Sequence, residues 1–85
     1  MLTAISDKTL TIYLQGEIDH HTAGNIRNRT DNEILRHSPE ELILDFSGVS
    51  FMDSSGVGLV IGRYKLAVSR GCRTVVTGLK ERDKK

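Results

Sequence analysis

Apolar and polar residues alternate along residues 9–15, which predicts a half-exposed β-strand because successive side chains of a strand point to opposite faces of a sheet. Residues 2–5 predict a short partner strand, and residues 6–8 predict the turn between the two. Gly16 is expected to end the second strand, with a loop over residues 17–21 behind it. The chain therefore begins with a predicted pair of strands.

Two later segments repeat apolar residues at the spacing of three and four that is typical of helices. Thr22 is expected to cap the first helix, which runs to about His37. The second helix is predicted from about Ser55 to Ser69, and Gly71 is expected to end it in a left-handed conformation. The residues expected to face the core are Ala23, Ile26, Thr30 and Ile34 in the first helix and Val57, Val60, Ile61, Tyr64 and Val68 in the second.

Two more strands complete the predicted fold. Residues 42–46 are almost continuously apolar, which is typical of a strand buried on both faces. Residues 38–40, with the only proline of the chain, separate that strand from the first helix, and residues 74–77 predict the last strand. The order of elements is two strands, helix, strand, helix, strand, so we expect an α/β fold: an open mixed sheet with helices packed on it.

Composition indicates one small domain spanning residues 1–85, whose 38% of hydrophobic residues allow a modest core but no large buried active site. The formal net charge of +1 argues against a general nucleic-acid binder, which displays a basic stripe. No apolar run approaches the roughly 18 residues of a membrane span, and residues 1–7 do not resemble a secretory signal. Cys72 is the only cysteine, which fits a reducing cytoplasm, and residues 80–85 predict a solvated, charged end.

Residues 53–56, Asp-Ser-Ser-Gly, stand between a buried strand and the start of a helix. Asp and Ser are the ordinary capping residues of helices, so capping explains the motif as well as a function does. Two successive hydroxyls followed by Gly56 and Gly58 leave the backbone open to another molecule. A helix start also favours negative charge by about 0.3–1 kcal/mol, so it tolerates a phosphoryl group. The residues alone leave both interpretations open.

Catalytic and nucleotide-binding interpretations fail on spacing. A hydrolase elbow needs a glycine two residues before the serine, and Met52 or Asp53 stands there instead. The glycines at positions 56, 58 and 62 are spaced one residue too widely for the dinucleotide fingerprint, and Gly62 is expected to allow close packing of the helix on the sheet. We therefore expect a binding protein and not an enzyme.

Metal and general-base chemistry also lack the necessary pattern. Asp19, His20, His21 and His37 do not have the spacing of a structural metal site, and the cysteine is solitary. A histidine of the loop could act as a base with Asp19 to orient it, but adjacent histidines in a polar loop are more often solvated surface residues. We expect no metal and no bound cofactor.

Three segments in order resemble the bacterial anti-sigma factor antagonists of the STAS domain family, in particular the anti-sigma F factor antagonists of spore formers. They are residues 16–23 (Gly-Glu-Ile-Asp-His-His-Thr-Ala), residues 51–58 (Phe-Met-Asp-Ser-Ser-Gly-Val-Gly) and residues 62–65 (Gly-Arg-Tyr-Lys). The resemblance covers residues 9–76. Members of the family usually continue past the fourth strand with a third helix, a strand and a closing helix, so the chain is expected to lack that C-terminal part.

The resemblance implies a switch between partners. The unmodified antagonist binds a cytoplasmic anti-sigma factor that is also a serine kinase, and so frees the sigma factor for transcription. The kinase phosphorylates the serine after the motif aspartate, here Ser54, and a PP2C-type phosphatase reverses the modification. ATP and magnesium belong to the kinase. The alternative in the same family is a non-phosphorylated scaffold or transporter-associated domain.

The same resemblance assigns roles to individual residues. Ser54 is the phosphoacceptor, and Asp53 positions it and helps to start the helix. Ser55 caps the helix or contacts the partner. The remaining residues expected at the partner-binding surface are Asp19, His20, Gly56 and Arg63, the last being either a partner contact or an ordinary surface arginine.

Overall fold

A mixed sheet carries the fold in the computed structural model, which describes residues 1–80; the predicted charged tail beyond residue 80 lies outside them. The elements are β1 (Leu2–Ser6), β2 (Thr9–Ile18), α1 (Ala23–His37), β3 (Glu41–Met52), α2 (Ser54–Ser69) and β4 (Arg73–Thr77). The strands lie side by side in the order β1-β2-β3-β4. β1 pairs with β2 antiparallel, and both other pairs are parallel. The predicted open mixed sheet is confirmed.

The second strand is longer than predicted. Gly16 does not end it, because β2 continues to Ile18 and pairs there with Met52 of β3. The register shifts between Tyr13 and Gln15 and again after Gly16, which has a φ of +78°. Bulges of this kind absorb an extra residue and increase the twist of a strand. The extension brings the end of β2 level with the end of β3.

Both helices lie on one face of the sheet. Crossovers between parallel strands are right-handed in nearly all proteins, and the two crossovers here proceed in the same direction across the sheet. The buried apolar side chains are Leu10, Ile12, Leu14 and Ile18 of β2, Leu42, Leu44, Phe46 and Val49 of β3, Ile34 of α1, Leu59 and Ala67 of α2, and Cys72 before β4. The predicted burial of residues 42–46 on both faces is wrong: burial alternates, and Ile43 is only half-buried.

The first helix follows its prediction. Thr30 and Ile34 are buried, and Ala23 and Ile26 pack against the core from its edge. The hydroxyl of Thr30 donates to the carbonyl of Arg27 at 3.0 Å, so the one polar side chain of this predicted stripe is satisfied within the helix. α1 therefore lies on the sheet by one narrow face, as its thin apolar stripe indicates.

The orientation of α2 differs from the prediction. Four of the five residues expected in the core, Val57, Ile61, Tyr64 and Val68, are between 49% and 56% exposed, and we call them the outer face of α2. The buried residues of the helix are Gly56, Leu59, Arg63 and Ala67. The exposed set and the buried set both repeat at the spacing of a helix, so the apolar period alone does not predict which face of α2 is buried.

Candidate functional site

Two aspartates meet at one edge of the sheet, where the parallel strands β2 and β3 both end. Ile18 pairs with Met52, and the backbone N–H of Asp53 donates to the carbonyl of Ile18 at 3.1 Å. Asp19 follows directly after β2, and Asp53 follows directly after β3. The carboxyl ends of parallel strands are a common place for functional residues because the loops that leave them converge. Asp19 and Asp53 therefore stand at the same edge of the sheet.

Asp53 caps α2, and Ser54 is the first residue of the helix. A carboxylate oxygen of Asp53 accepts a hydrogen bond from the backbone N–H of Ser55 at 2.8 Å, which satisfies one of the free donors at the helix start. Asp53 performs the capping, and Ser55 does not. Ser54 is exposed, and within residues 1–80 its hydroxyl makes no hydrogen bond. The motif thus combines a structural cap with a free, accessible hydroxyl beside it.

The loop before α1 is held together by Asp19 and Thr22. Asp19 Oδ1 accepts from the backbone N–H groups of His21 at 2.9 Å and Thr22 at 3.0 Å. The Thr22 hydroxyl donates to the carbonyl of Glu17 at 3.1 Å and accepts from the N–H of Asp19 at 3.0 Å. Thr22 stands at the cap position of α1, as predicted, but its side chain binds the loop and no helix N–H. Its hydroxyl therefore shapes the edge of the site.

These hydrogen bonds change the acidity of Asp19. The backbone N–H of Thr22 is the largest cause that lowers its pKa, and the N–H and charge of His21 act in the same direction, against partial burial. Hydrogen bonds to a carboxylate favour its ionised form. The carboxylate of Asp19 is therefore ionised at neutral pH and adds negative charge to this edge of the sheet.

Asp19→Asn is expected to flatten the acid dependence of stability. A pKa that is lower in the folded chain contributes stability that is fully present above about pH 5 and is lost as the pH falls through the folded pKa. The free energy of unfolding from urea titrations at pH 7, 5 and 3 measures the effect. The free energy of unfolding of the variant should still fall with pH, in part because the pKa of Asp45 is also lowered, by the hydroxyls of Ser47 and Thr77. An unchanged slope in the variant would contradict this account.

The two histidines of the loop lie on the surface beside Asp19. The rings of His20 and His21 are 4.0 Å apart between centroids, and both residues are exposed. Within residues 1–80, no group of three or more His, Cys, Asp or Glu side chains is placed to hold a metal ion. The position of His20 at the rim is compatible with the contact that the sequence analysis assigned to it.

Two predicted surface residues are buried, so their assignment as partner contacts is corrected. Arg63 is 7% exposed, and its Nε lies 2.6 Å from Oδ1 of Asp31 in α1. Burial lowers the pKa of Arg63, an effect that the charge of Asp31 opposes. Gly56 is buried as well: a Cβ there would lie 2.1 Å from Cγ of Met52. Arg63 joins α2 to α1, and Gly56 makes room for a core side chain.

The outer face of α2 is the surface that the sequence analysis missed. It begins with Val57, one turn after Ser54, and continues along the helix to Val68. Contiguous exposed apolar side chains are typical of interaction surfaces. One feature of the sequence could have indicated this surface: α2 carries apolar residues on more sides than a single sheet can cover.

Two further observations concern reactivity and membranes. Cys72 is buried, and burial and the charge of Glu41 raise the pKa of its thiol, so it is protonated at neutral pH. Among the helices within residues 1–80, none has both the length and the apolar character needed to cross a bilayer.

The fold and this site define a STAS domain: the model of that family matches residues 1–85, and the chain belongs to the family. More particularly, the chain is similar to the anti-sigma F factor antagonist of Paenibacillus polymyxa, with 44% identity over 62 residues. The matched region is 73% of this chain and 53% of that relative, so the chain spans about half the length of the curated relative. The resemblance seen in the sequence is confirmed at the level of the family.

Solved structures of an anti-sigma factor antagonist share the fold. The unphosphorylated form of SpoIIAA superposes with a TM-score of 0.82 at 33% identity and covers 98% of this chain and 73% of its own. The phosphorylated form of SpoIIAA from Bacillus superposes with a TM-score of 0.78 at 33% identity, over 98% of this chain and 76% of its own. The fold of this chain is therefore similar to both forms of that protein.

Proposed function

We propose that this chain is an anti-sigma factor antagonist whose unphosphorylated form binds an anti-sigma factor and whose binding is prevented by phosphorylation of Ser54. The observation that carries the proposal is the exposed hydroxyl of Ser54 at the start of α2, which makes no hydrogen bond to the residues that the structure describes. Similarity to an anti-sigma F factor antagonist and to SpoIIAA, which has a phosphorylated form, supports it. The role is regulatory binding and not catalysis.

The partners in this proposal are a cytoplasmic anti-sigma factor that is itself a serine kinase and a PP2C-type phosphatase that removes the phosphate. The kinase supplies the bound ATP and magnesium, so this chain needs no cofactor. Release of the sigma factor from the anti-sigma factor is then the output of binding, as in the control of sporulation. The chain itself contacts neither nucleic acid nor membrane in this scheme.

The docking surface in this proposal surrounds Ser54 on two sides. Asp19 and His20 form one rim, and Asp53 and Ser55 flank the hydroxyl. The outer face of α2 continues the surface along the helix with apolar side chains. An apolar patch beside a polar rim is the usual composition of a protein interface.

Electrostatics explains how one phosphate prevents docking. A phosphoserine carries about −1.5 to −2 charges at neutral pH. In the free chain the group faces water at the start of α2, where the helix dipole favours negative charge, so the fold is kept. In a complex the phosphate would be buried beside the carboxylates of Asp19 and Asp53 at the same sheet edge. Burial of uncompensated like charges costs several kcal/mol.

The site assignment is tested by incubating the 85-residue chain with its anti-sigma factor kinase and Mg-ATP and mapping the product by mass spectrometry. We expect a single phosphate on Ser54. Ser54→Ala should incorporate none, whereas Ser55→Ala, which keeps the cap made by Asp53, should still be phosphorylated. A phosphate on Ser55 with Ser54 unmodified would contradict the assignment. Stable binding without any phosphate transfer would favour the non-phosphorylated scaffold instead.

A further inference from the structure

A groove of about 380 Å³ lies between the first turns of α1 and the first half of α2. Gly24 and Arg27 line it from α1, and Ser55, Gly58, Gly62 and Arg63 line it from α2. The volume is within the range of small-ligand sites. Of these residues only Ser55 belongs to the docking surface proposed above, so the groove needs an explanation of its own.

Packing within residues 1–80 does not explain the three glycines of the groove. A Cβ added to Gly24, Gly58 or Gly62 would meet no atom within 4 Å. The expectation that Gly62 allows close packing on the sheet is therefore wrong. Glycine weakens the interior of a helix, and one common reason for its presence is the close approach of another molecule to the backbone. Here the glycines keep the groove open.

Positive charge exceeds negative charge at the groove. Arg63 is 7% exposed, and Asp31 lies against its Nε at 2.6 Å. Despite that short distance, neither this Nε nor the buried Nη1 makes a hydrogen bond of good geometry among residues 1–80, so Asp31 supplies a counter-charge without satisfying the donors. Arg27 is exposed on α1 and close enough to Arg63 for their charges to repel. Two arginines thus line the groove while the carboxylate of Asp31 does not, and buried donors of Arg63 are left without an acceptor, which is costly unless a ligand supplies one.

We propose that this groove binds an oxyanion, a phosphate or carboxylate group, held by the guanidinium groups of Arg27 and Arg63. Guanidinium donors match the geometry of such groups and form charge-assisted hydrogen bonds with them. The Ser55 hydroxyl, which lies along the same groove, supplies a further donor. This inference does not depend on the phosphorylation of Ser54, because the isolated, unmodified chain is expected to bind the anion.

The proposal is tested by titrating the full 15N-labelled chain with inorganic phosphate and, separately, with acetate, at an ionic strength held constant with sodium chloride. We expect saturable shifts of the amide signals of Gly24, Gly58 and Gly62. Gly71, which lies outside the groove beyond the end of α2, should not move. Tighter binding of phosphate identifies a phosphoryl ligand, tighter binding of acetate identifies a carboxylate, and equal binding shows an oxyanion site that accepts both. Shifts that do not saturate, or that include Gly71 equally, overturn the proposal.

Matched variants separate the groove from general surface charge. Arg27→Gln removes one charged donor and should weaken phosphate or acetate binding roughly ten-fold. Arg29→Gln changes another exposed arginine of the same helix that does not line the groove, and binding should be unchanged. Gly58→Val should abolish binding by filling the groove. All three substituted positions have room for the new side chain or face solvent, so each variant is expected to fold. A dispersed amide spectrum verifies the fold of each variant. Equal losses in both arginine variants would overturn the proposal.

Discussion

Phosphorylation of Ser54 is expected to weaken binding of the anti-sigma factor roughly 100-fold while the fold stays unchanged. The helix dipole favours the phosphate by about 0.3–1 kcal/mol in the free chain. Burial of the phosphate at an interface beside Asp19 and Asp53 opposes binding by several kcal/mol, so the interface effect is the larger one. The switch then acts at the contact and not through a change of structure.

Titration calorimetry with the unphosphorylated and phosphorylated chains measures the difference in affinity, and thermal unfolding compares their stability. Ser54→Ala should bind as tightly as the unmodified chain, because the hydroxyl makes no hydrogen bond within residues 1–80. Ser54→Asp should bind more weakly, though less so than the phosphorylated chain, because a carboxylate carries a smaller charge. Equal affinity of the phosphorylated and unmodified chains would refute electrostatic exclusion, and a large loss of thermal stability would point to a change of fold instead.

The same assay examines the outer face of α2. Ile61→Asp places a charge in the proposed interface and should reduce affinity about ten-fold, since desolvation of an unpaired charge opposes binding. Leu35→Asp is the matched control: Leu35 of α1 is 48% exposed, against 49% for Ile61, and lies outside the proposed surface. Equal affinities of the two variants would remove the outer face of α2 from the docking surface.

Asp31→Asn is expected to lower the free energy of unfolding by about 2–4 kcal/mol. The Arg63 side chain is 8% exposed and that of Asp31 is 29% exposed, and their charged atoms lie 2.6 Å apart. Removing the carboxylate leaves a guanidinium buried without a counter-charge. The partial exposure of Asp31 keeps the expected loss below the largest values known for buried pairs. Urea unfolding followed by circular dichroism gives the change directly.

Two controls separate the buried pair from ordinary surface charge. Arg36→Gln removes one partner of Glu33, at 3.7 Å, where the Arg36 side chain is 74% exposed, and should change stability by less than about 0.5 kcal/mol. The double variant Asp31→Asn/Arg63→Met should recover most of the loss, because both charges are gone and methionine fills the space. If Asp31→Asn has no larger effect than Arg36→Gln, the pair does not hold α1 against α2.

Local signals were reliable in the sequence. The alternation in β2, the stripe of α1 and the aspartate before α2 each depend on residues that are close together in the chain, and the structure confirms all three elements. The end of α2 was predicted for the same reason: Gly71 adopts a φ of +72°, and its N–H donates to the carbonyl of Val68. The motif of residues 53–56 could be located because it depends on a strand end and a helix start, whereas the choice of Ser54 within it came from the family resemblance.

Predictions that required knowledge of distant neighbours were wrong. The period of α2 fits two faces, and contact with the sheet and α1 buried the one that contains Leu59, Arg63 and Ala67. An arginine in an isolated helix is expected to be exposed. Arg63 can be buried because Asp31, which lies far from it in the sequence, supplies a counter-charge. Similarly, residues 42–46 read as doubly buried, but both crossover helices lie on one side of the sheet.

The sequence by itself thus determined the elements, their order, the family and the position of the serine motif at the start of α2, because period, capping and motif are properties of neighbouring residues. Only the tertiary structure decided which face of α2 is buried, that Gly56 and Arg63 lie inside, and that Asp19 and Asp53 share one edge of the sheet. Burial and charge pairing depend on contacts between residues far apart in the chain, and those contacts exist only once the sheet and both helices are assembled.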